Sequence, residues 1–420
     1  MSERRKQALR YFEEQKSFLS HTVPANIEAN RKSVKTVAFV DGQGNPLKEV
    51  SFTAEQISHD FKFGCNLFLL DEFETEEKNK LFRKLFPSMF NYGVVPFYWA
   101  DLEPEQGKPR YDKNSPKVYR RPAPDLVVEF CREQGIEMKG HCLVYDGFAP
   151  GWLPKEPDKI RLAIDRHFQE IGERYGESIR DWDIINETLS WNWDGMERET
   201  AFFREDDYLS YSFDCAARHL CANRNFVNDA VGIWDHFHGG RSWYALLIKD
   251  LLHRGVRFDG IGIQCHQFVP REGEADYAAK CYNPRRIYDV LDTYGQFGKP
   301  VQISEVTICS YNGDQEDMEI QAELLKQVYR VWFSHRAMDG IVYWNLADGY
   351  TYVPGGTQNY DPNTGENQFG GALLYHDLSP KPAWKALDEL IHHEWHTKGS
   401  FHTAEDSNRA EVYGSGGAIC

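Results

Sequence analysis

Apolar positions change period several times along this chain. Residues 2–20 space apolar and aromatic side chains helically among many Glu, Lys and Arg, which predicts an amphipathic helix. Residues 34–58 then read as a strand pair, VKTVAFV and EVSFTAEQI around the turn DGQGNPL. From about Asp60 onward, short β-rich runs alternate with helical ones. The strand candidates are 61–66, 92–99, 137–144, 181–186, 224–229, 260–264, 301–304 and 340–344, eight in all. Helical patterns lie between them, for example at 123–135, 159–176, 242–255 and 319–335. The strands are short and apolar, as parallel strands covered on both faces are.

Eight such repeats predict an α/β protein with a closed (β/α)8 TIM barrel. An open doubly wound sheet is the rival. It carries a Gly-rich phosphate turn after its first strand, and LFLLDEFE follows FGCN here. The expected organisation is therefore residues 1–59 as a helix and β-hairpin appendage, 60–398 as the barrel, and 399–420, polar and rich in Gly and Ser, as a loose tail.

The chain has 420 residues, 41% hydrophobic and 27% charged, which is a folded composition. Its formal charge is −16, which disfavours nucleic acid and anionic membranes as partners. No apolar run is long enough to span a bilayer. The mixed-charge first residues lack the apolar core of a secretory signal, so a cytoplasmic location is expected. The nine cysteines (65, 131, 142, 215, 221, 265, 281, 309 and 420) are scattered, and the core is large enough without staples, so they read as reduced thiols. Aromatic residues make up 14% of the chain, either as core or as platforms on which sugars stack.

In a barrel of this kind, chemistry sits where strands end. The fourth strand ends at Asn186-Glu187 and the seventh at Ser304-Glu305; His141, Gln264, His266, Trp344 and Asn345 sit at other strand ends. An unpaired carboxylate is costly to bury at the end of an apolar strand. Either the two glutamates form salt bridges at the barrel rim, or they are the carboxylate pair that glycoside hydrolysis needs, an acid for the leaving oxygen and a nucleophile or base. The company of Asn186, His266 and Trp344 favours the second reading.

These residues also carry a resemblance. The segments WDIINE (182–187), GIGIQCH (260–266), QISE (302–305) and GHCLV (140–144) resemble strand motifs of glycoside hydrolase family 10, the endo-β-1,4-xylanase family. DGIVYW (339–344) and SPKPAW (379–384) resemble its eighth strand and final segment, so the likeness runs from about Phe61 to His392. It implies a (β/α)8 barrel, a carbohydrate substrate, retention of anomeric configuration, and neither metal nor cofactor. By position it implies Glu187 as general acid/base and Glu305 as nucleophile. Asn186 would bond the 2-hydroxyl of the sugar being cleaved, His141 would bind that sugar, and Trp344 would form its floor. His266 would bond Glu305, and Gln264 would support the network. Retention expects carboxyls ~5–5.5 Å apart. A donor such as His266 should hold Glu305 as an anion, whose charge in turn keeps the proton on Glu187.

The second strand departs from the family. Where xylanases carry Glu-Asn-x-Met-Lys-Trp, gripping the sugar one place farther from the cut, this chain has Val94-Val95-Pro96-Phe97-Tyr98-Trp99. Trp99 and Glu103-Pro104 still align. Tyr145-Asp146 replaces the Trp-His after strand three, and the second aromatic after strand eight falls near Tyr352. Trp99, Tyr145 and Tyr352 therefore join the expected sugar-binding set. Losing several charged and amide groups costs about 1.5–3 kcal/mol for each charge-assisted bond. The expected substrate is accordingly an oligosaccharide, or a decorated or hydrophobic glycoside, rather than plain xylan.

Other signals point to structure. HHEWH (392–396) is one residue short of the zinc-helix spacing, and a C-terminal amphipathic helix explains it. His236 and His238 read as a polar loop after strand five. Asn228-Asp229 resemble the family's Asn-Asp at that strand, with a structural or supporting role. Cys142 and Cys265 adjoin His141 and His266, yet strand alternation points each away from its neighbour. Two other functions stay open: a sugar-binding barrel without catalysis, and another barrel enzyme such as a lyase or transglycosylase.

Overall fold

The computed structural model describes residues 2–190, 200–353 and 361–418. Its strands are β1 Lys32–Ala38, β2 Ser51–Glu55, β3 Lys62–Asn66, β4 Tyr92–Pro96, β5 Glu137–Val144, β6 Asp181–Asn186, β7 Arg224–Asp229, β8 Gly260–His266, β9 Val301–Thr307, β10 Met338–Tyr343, β11 Lys398–His402 and β12 Arg409–Ser415. Strands β3 to β10 pair in sequence order into a closed barrel. Parallel pairing of β10 with β3, Ile341 opposite Phe63, closes it. The eight strands anticipated from apolar runs are these eight.

A helix follows each barrel strand, and local chemistry sets the ends. Pro124–Gln134 starts on a proline whose missing N–H is not needed there, and stops at Gly135, whose φ of 66° suits a residue without a Cβ. Gln315–Ser334 starts at Asp314, whose carboxylate accepts the Asp317 N–H at 3.1 Å. Inside the barrel, close packing requires glycine at two points. A Cβ on Gly140 would lie 2.2 Å from the Trp182 ring, and one on Gly260 2.1 Å from Phe226. At the start of the strands the interior is ionic: Lys62 and Arg224 both reach Asp339, and the Tyr92 hydroxyl donates to Asp181 at 2.7 Å.

The ends of the chain differ from the sequence reading. The expected hairpin does not form between β1 and β2. Instead β1 runs antiparallel to β12, Lys32 opposite Ser415, and β2 antiparallel to β11, Glu55 opposite Lys398. Residues 399–420 are therefore not a loose tail over their described part. Ala410 and Val412 are buried in alternation with Glu411 and Tyr413, a period-two signal outweighed by the Gly and Ser around it. The N-terminal segment is several short helices, Glu3–Ala8, Arg10–Glu14 and Val23–Arg31, with a wider turn at Phe18–Thr22. Pro24 occupies the first turn of the last of these, where its lack of an N–H is tolerated. Arg4 fastens this segment to the barrel through Glu274, at 2.8 Å, and Asp317. Among the described residues no helix is long and apolar enough to cross a membrane. Eight described cysteines are unpaired, all buried except Cys221; Cys420 lies outside the described residues.

Candidate active site

Glu187 is the first residue past β6 and has φ 51°, an unusual backbone conformation for a glutamate. Its N–H donates to the Asn228 carbonyl at 3.1 Å, so the turn grows out of the β6–β7 ladder. Asp229 secures the residues beyond each of these two strands. One of its oxygens accepts the Leu189 N–H at 3.0 Å, the other the Ala230 and Val231 N–H groups at 2.8 and 3.0 Å. Burial pushes the Asp229 carboxyl up to about 7 despite those donors.

Glu305 lies within β9, beyond a register shift. Ile263 pairs with Ile303, but Gln264 pairs with Glu305, so Ser304 is the extra residue. Such a bulge re-aims the side chain after it. Three amides, Asn228, Asn186 and Gln264, then link the carboxylates. Asn228 Nδ2 donates to Glu305 Oε1 at 2.9 Å and to Asn186 Oδ1 at 2.7 Å. Gln264 Nε2 donates to Glu187 Oε1 at 3.1 Å and to Asn186 Oδ1 at 3.3 Å. The Tyr145 hydroxyl reaches Glu187 Oε2 at 2.5 Å. Asn228 is the main residue whose role the sequence left open; it stands in direct contact with Glu305.

Two histidines face the Glu305 carboxylate. His266 Nε2 is 3.1 Å from Oε2, its Nδ1 is 2.9 Å from the Thr307 hydroxyl, and its ring stacks on Phe268 at 4.5 Å. Burial lowers the His266 pKa to about 4, so the ring is neutral at pH 7. A neutral ring with Nε2–H donated to Glu305 accepts from Thr307 at Nδ1. His141 Nε2 is 3.9 Å from Glu305 Oε1, while its Nδ1 is 2.9 Å from Asp183. Lys139 completes this buried ladder at 2.6 Å from Asp183, whose pKa it lowers against the effect of burial.

One expectation fails here. The sequence reading has Glu305 held as an anion, yet its pKa is pushed up to about 8. Burial is the largest cause, opposed by His141 and the Asn228 bond and reinforced by the charges of Glu187 and Asp183. A carboxylate only 3% exposed loses more from missing water than these donors return.

Both glutamates open into one cavity of about 790 Å³. Of the other expected site residues, Gln264, His266, Trp344, Tyr145 and Tyr352 line it as well. Asn186 and His141 are buried against the carboxylates rather than lining the cavity. The Trp344 ring stands edge-on to His141 at 5.2 Å. Trp99 does not reach the site. It stacks on His167 at 4.3 Å and donates to Glu103 at 3.0 Å, because the chain turns into a short helix, Trp99–Leu102, that carries its ring into the outer core. Phe68, Phe148, Trp234 and the pair Arg120 and Arg121 also line the cavity, and sequence reasoning missed them. His236 lies outside, stacked on Trp243, while Asp235 beside it faces the cavity. His393 and His396 approach Asp388 and Glu55 at 3.8 and 3.5 Å.

The sequence profile described as glycosyl hydrolase family 10 matches residues 77–390. The chain belongs to glycosyl hydrolase family 10. Among curated relatives, this family 10 chain is 25% identical to the beta-1,4-xylanase of Dictyoglomus thermophilum, over 63% of this chain and 76% of that protein. It is 24% identical to endo-1,4-beta-xylanase B of Thermotoga neapolitana, over 70% and 78%. Among solved structures, xylanase 10B from Thermotoga petrophila in complex with xylobiose superposes with a TM-score of 0.62 at 20% identity, covering 80% of this chain and 95% of that one. Native xylanase 10B from Thermotoga maritima gives 0.61 at 20% identity, covering 80% and 96%. These structures share the barrel fold. Family membership makes the chain a glycosidase acting on carbohydrate.

Proposed function

We propose that this chain hydrolyses β-glycosides with retention, Glu187 serving as acid/base and Glu305 as nucleophile. The observation that carries this reading is the amide-linked pair of carboxylates opening into one cavity. Glu187 gives its proton to the glycosidic oxygen as the Glu305 carboxylate attacks the anomeric carbon, forming a glycosyl ester and releasing the leaving alcohol. Water then attacks the anomeric carbon of the ester, giving its proton to Glu187, and the bond to Glu305 breaks to release it as a carboxylate. Tyr145 suits both halves: its hydroxyl donates to Glu187 Oε2 when the acid is ionised and accepts when it is protonated. Asn186 and His141 are the groups to bind the sugar, with Trp344 below it.

The substrate is an oligosaccharide, or a decorated or hydrophobic glycoside, rather than plain xylan. On the second-strand side, Val94, Val95 and Phe97 are buried core, and Tyr98 packs on His141 at 5.3 Å and Phe148 at 4.4 Å. Aromatic surface thus stands where charged and amide groups are expected. Trp234, Phe268, Val269 and Tyr277 add apolar lining. Turnover on linear xylotetraose compared with a panel of aryl glycosides tests this, and efficient endo-cleavage of unsubstituted xylan overturns the substrate reading. Sugar binding without hydrolysis at any pH would shift the conclusion to a carbohydrate-binding barrel.

A further inference from the structure

Arg120 and Arg121 are 3% and 7% exposed, and both line the cavity. Their guanidinium carbons lie 5.6 and 5.2 Å from the centre of the Phe68 ring. Arg121 is ion-paired. Its Nε donates to Asp101 at 2.9 Å, its Nη1 to the Arg120 carbonyl at 2.9 Å, and its Cζ sits 3.9 Å over Tyr98. Arg120 is not. Its Nη1 donates to the Tyr350 carbonyl, and its buried Nε has no hydrogen-bond partner among the described residues. Glu366, on the cavity wall, acts on it only through space and is itself bonded to Asn345 at 2.7 Å.

A guanidinium keeps its charge in proteins, so burying one without a carboxylate against it is costly. Arg120 also holds φ 59°, a conformation a bulky residue rarely adopts. Strain of this kind gathers at ligand sites. A neutral sugar accepts a hydrogen bond from a guanidinium but does not offset its buried charge. A planar carboxylate does, since it matches the guanidinium fork and replaces the missing ion pair. The anion must also be part of a sugar: Tyr98 and Phe148 beside the arginines offer a sugar ring faces to stack on. Glu187, Glu305 and Glu366 line the same cavity, and each of them that is ionised would repel an acidic sugar that met no cation.

We propose that Arg120 binds the carboxylate of a uronic acid residue, making acidic oligosaccharides the substrate class of this site. The inference rests on the glycosidase reading and specifies its substrate. The test pairs glucuronic-acid-substituted xylo-oligosaccharides with their carboxyl-reduced forms, which differ in that group alone. Affinities are measured by calorimetry on Glu305→Gln, and kcat/KM on the unaltered enzyme. The acid form is expected to bind about 10- to 100-fold more tightly than the reduced form, as a charge-assisted pair gives. In Arg120→Gln the ratio should fall toward one, and Arg120→Lys, which keeps the charge but not the fork, should lose most of it. Equal or weaker binding of the acid forms, or a preference untouched by both variants, overturns the proposal. A preference without hydrolysis of any glycoside sinks the hydrolase reading alone, and hydrolysis of neutral glycosides without a preference sinks the anion site alone.

Discussion

Burial and hydrogen bonding pull Glu305 in opposite directions, and burial prevails. Because its pKa is raised to about 8, the folded protein holds a proton that the unfolded chain gives up near the ordinary carboxyl value of 4.5. Its contribution to stability is therefore greatest below about 4.5 and is lost as pH rises through about 8. Glu305→Gln removes that dependence. It should abolish turnover and melt higher than the unaltered protein, with the gap widening from pH 5 to pH 8; a lower melting temperature for the variant at pH 8 contradicts the burial account. Activity has the reverse slope, since attack needs the anion. The kcat/KM profile of the free enzyme should fall on the acid side near pH 8, and a limb near pH 5 would mean that His266 and Asn228 outweigh desolvation in solution. Glu187→Ala should cost poor leaving groups far more than nitrophenols, because the former need a proton. Equal losses across leaving groups would remove Glu187 from the acid role. Of these residues, the carboxylates were legible from strand ends alone. Arg120 and Arg121 were not, because they lie on an irregular segment whose side chains no periodicity aims.

Strands place the chemistry, and one glycine shows how tightly. Gly262 in β8 lies opposite Asn228 in β7. A Cβ there would sit 2.3 Å from Asn228 Oδ1 and 3.2 Å from Ser304 Oγ. Gly262→Ala therefore has to displace the amide that bridges Asn186 and Glu305. Losing that bridge is expected to lower kcat about tenfold or more, as misplacing a group in a catalytic site does, while far-ultraviolet circular dichroism stays unchanged. Full activity in this variant would show that Asn228 can move freely. The apolar runs made the barrel strands readable because each is buried on both faces, as the completely buried β3, β4 and β6 illustrate. The same rule fails at Trp99: an aromatic after a strand looks like a sugar platform, but the helical turn begun at Tyr98 rotates it into the core. A strand pattern identifies the residue after a strand and not the direction the chain then takes.

At the scale of the whole molecule, the two ends of the chain complete each other. β1 has β12 as its partner in a two-stranded sheet, and Tyr413 of β12 donates from its hydroxyl to Glu28 at 2.7 Å. The β12 contribution extends past the strand, where the Gly416 N–H donates to the Arg31 carbonyl at 2.8 Å and Arg31 caps the Phe333 and His335 carbonyls of the barrel. The β1–β12 pairs join residues more than 370 positions apart, as in Lys32 with Ser415, which is why local patterns paired β1 with β2 instead. Ending the chain after residue 403 removes β12 and leaves β1 as an unpaired edge with Val34 exposed, an invitation to association. Neither carboxylate nor any cavity-lining residue lies in the removed segment. The truncated protein should therefore melt several degrees lower and aggregate sooner on heating, yet keep kcat within about twofold at 25 °C, because both carboxylates and the cavity are built on the barrel and not on β12. Loss of activity in proportion to loss of stability at that temperature would mean instead that the end sheets and the barrel open as one cooperative unit.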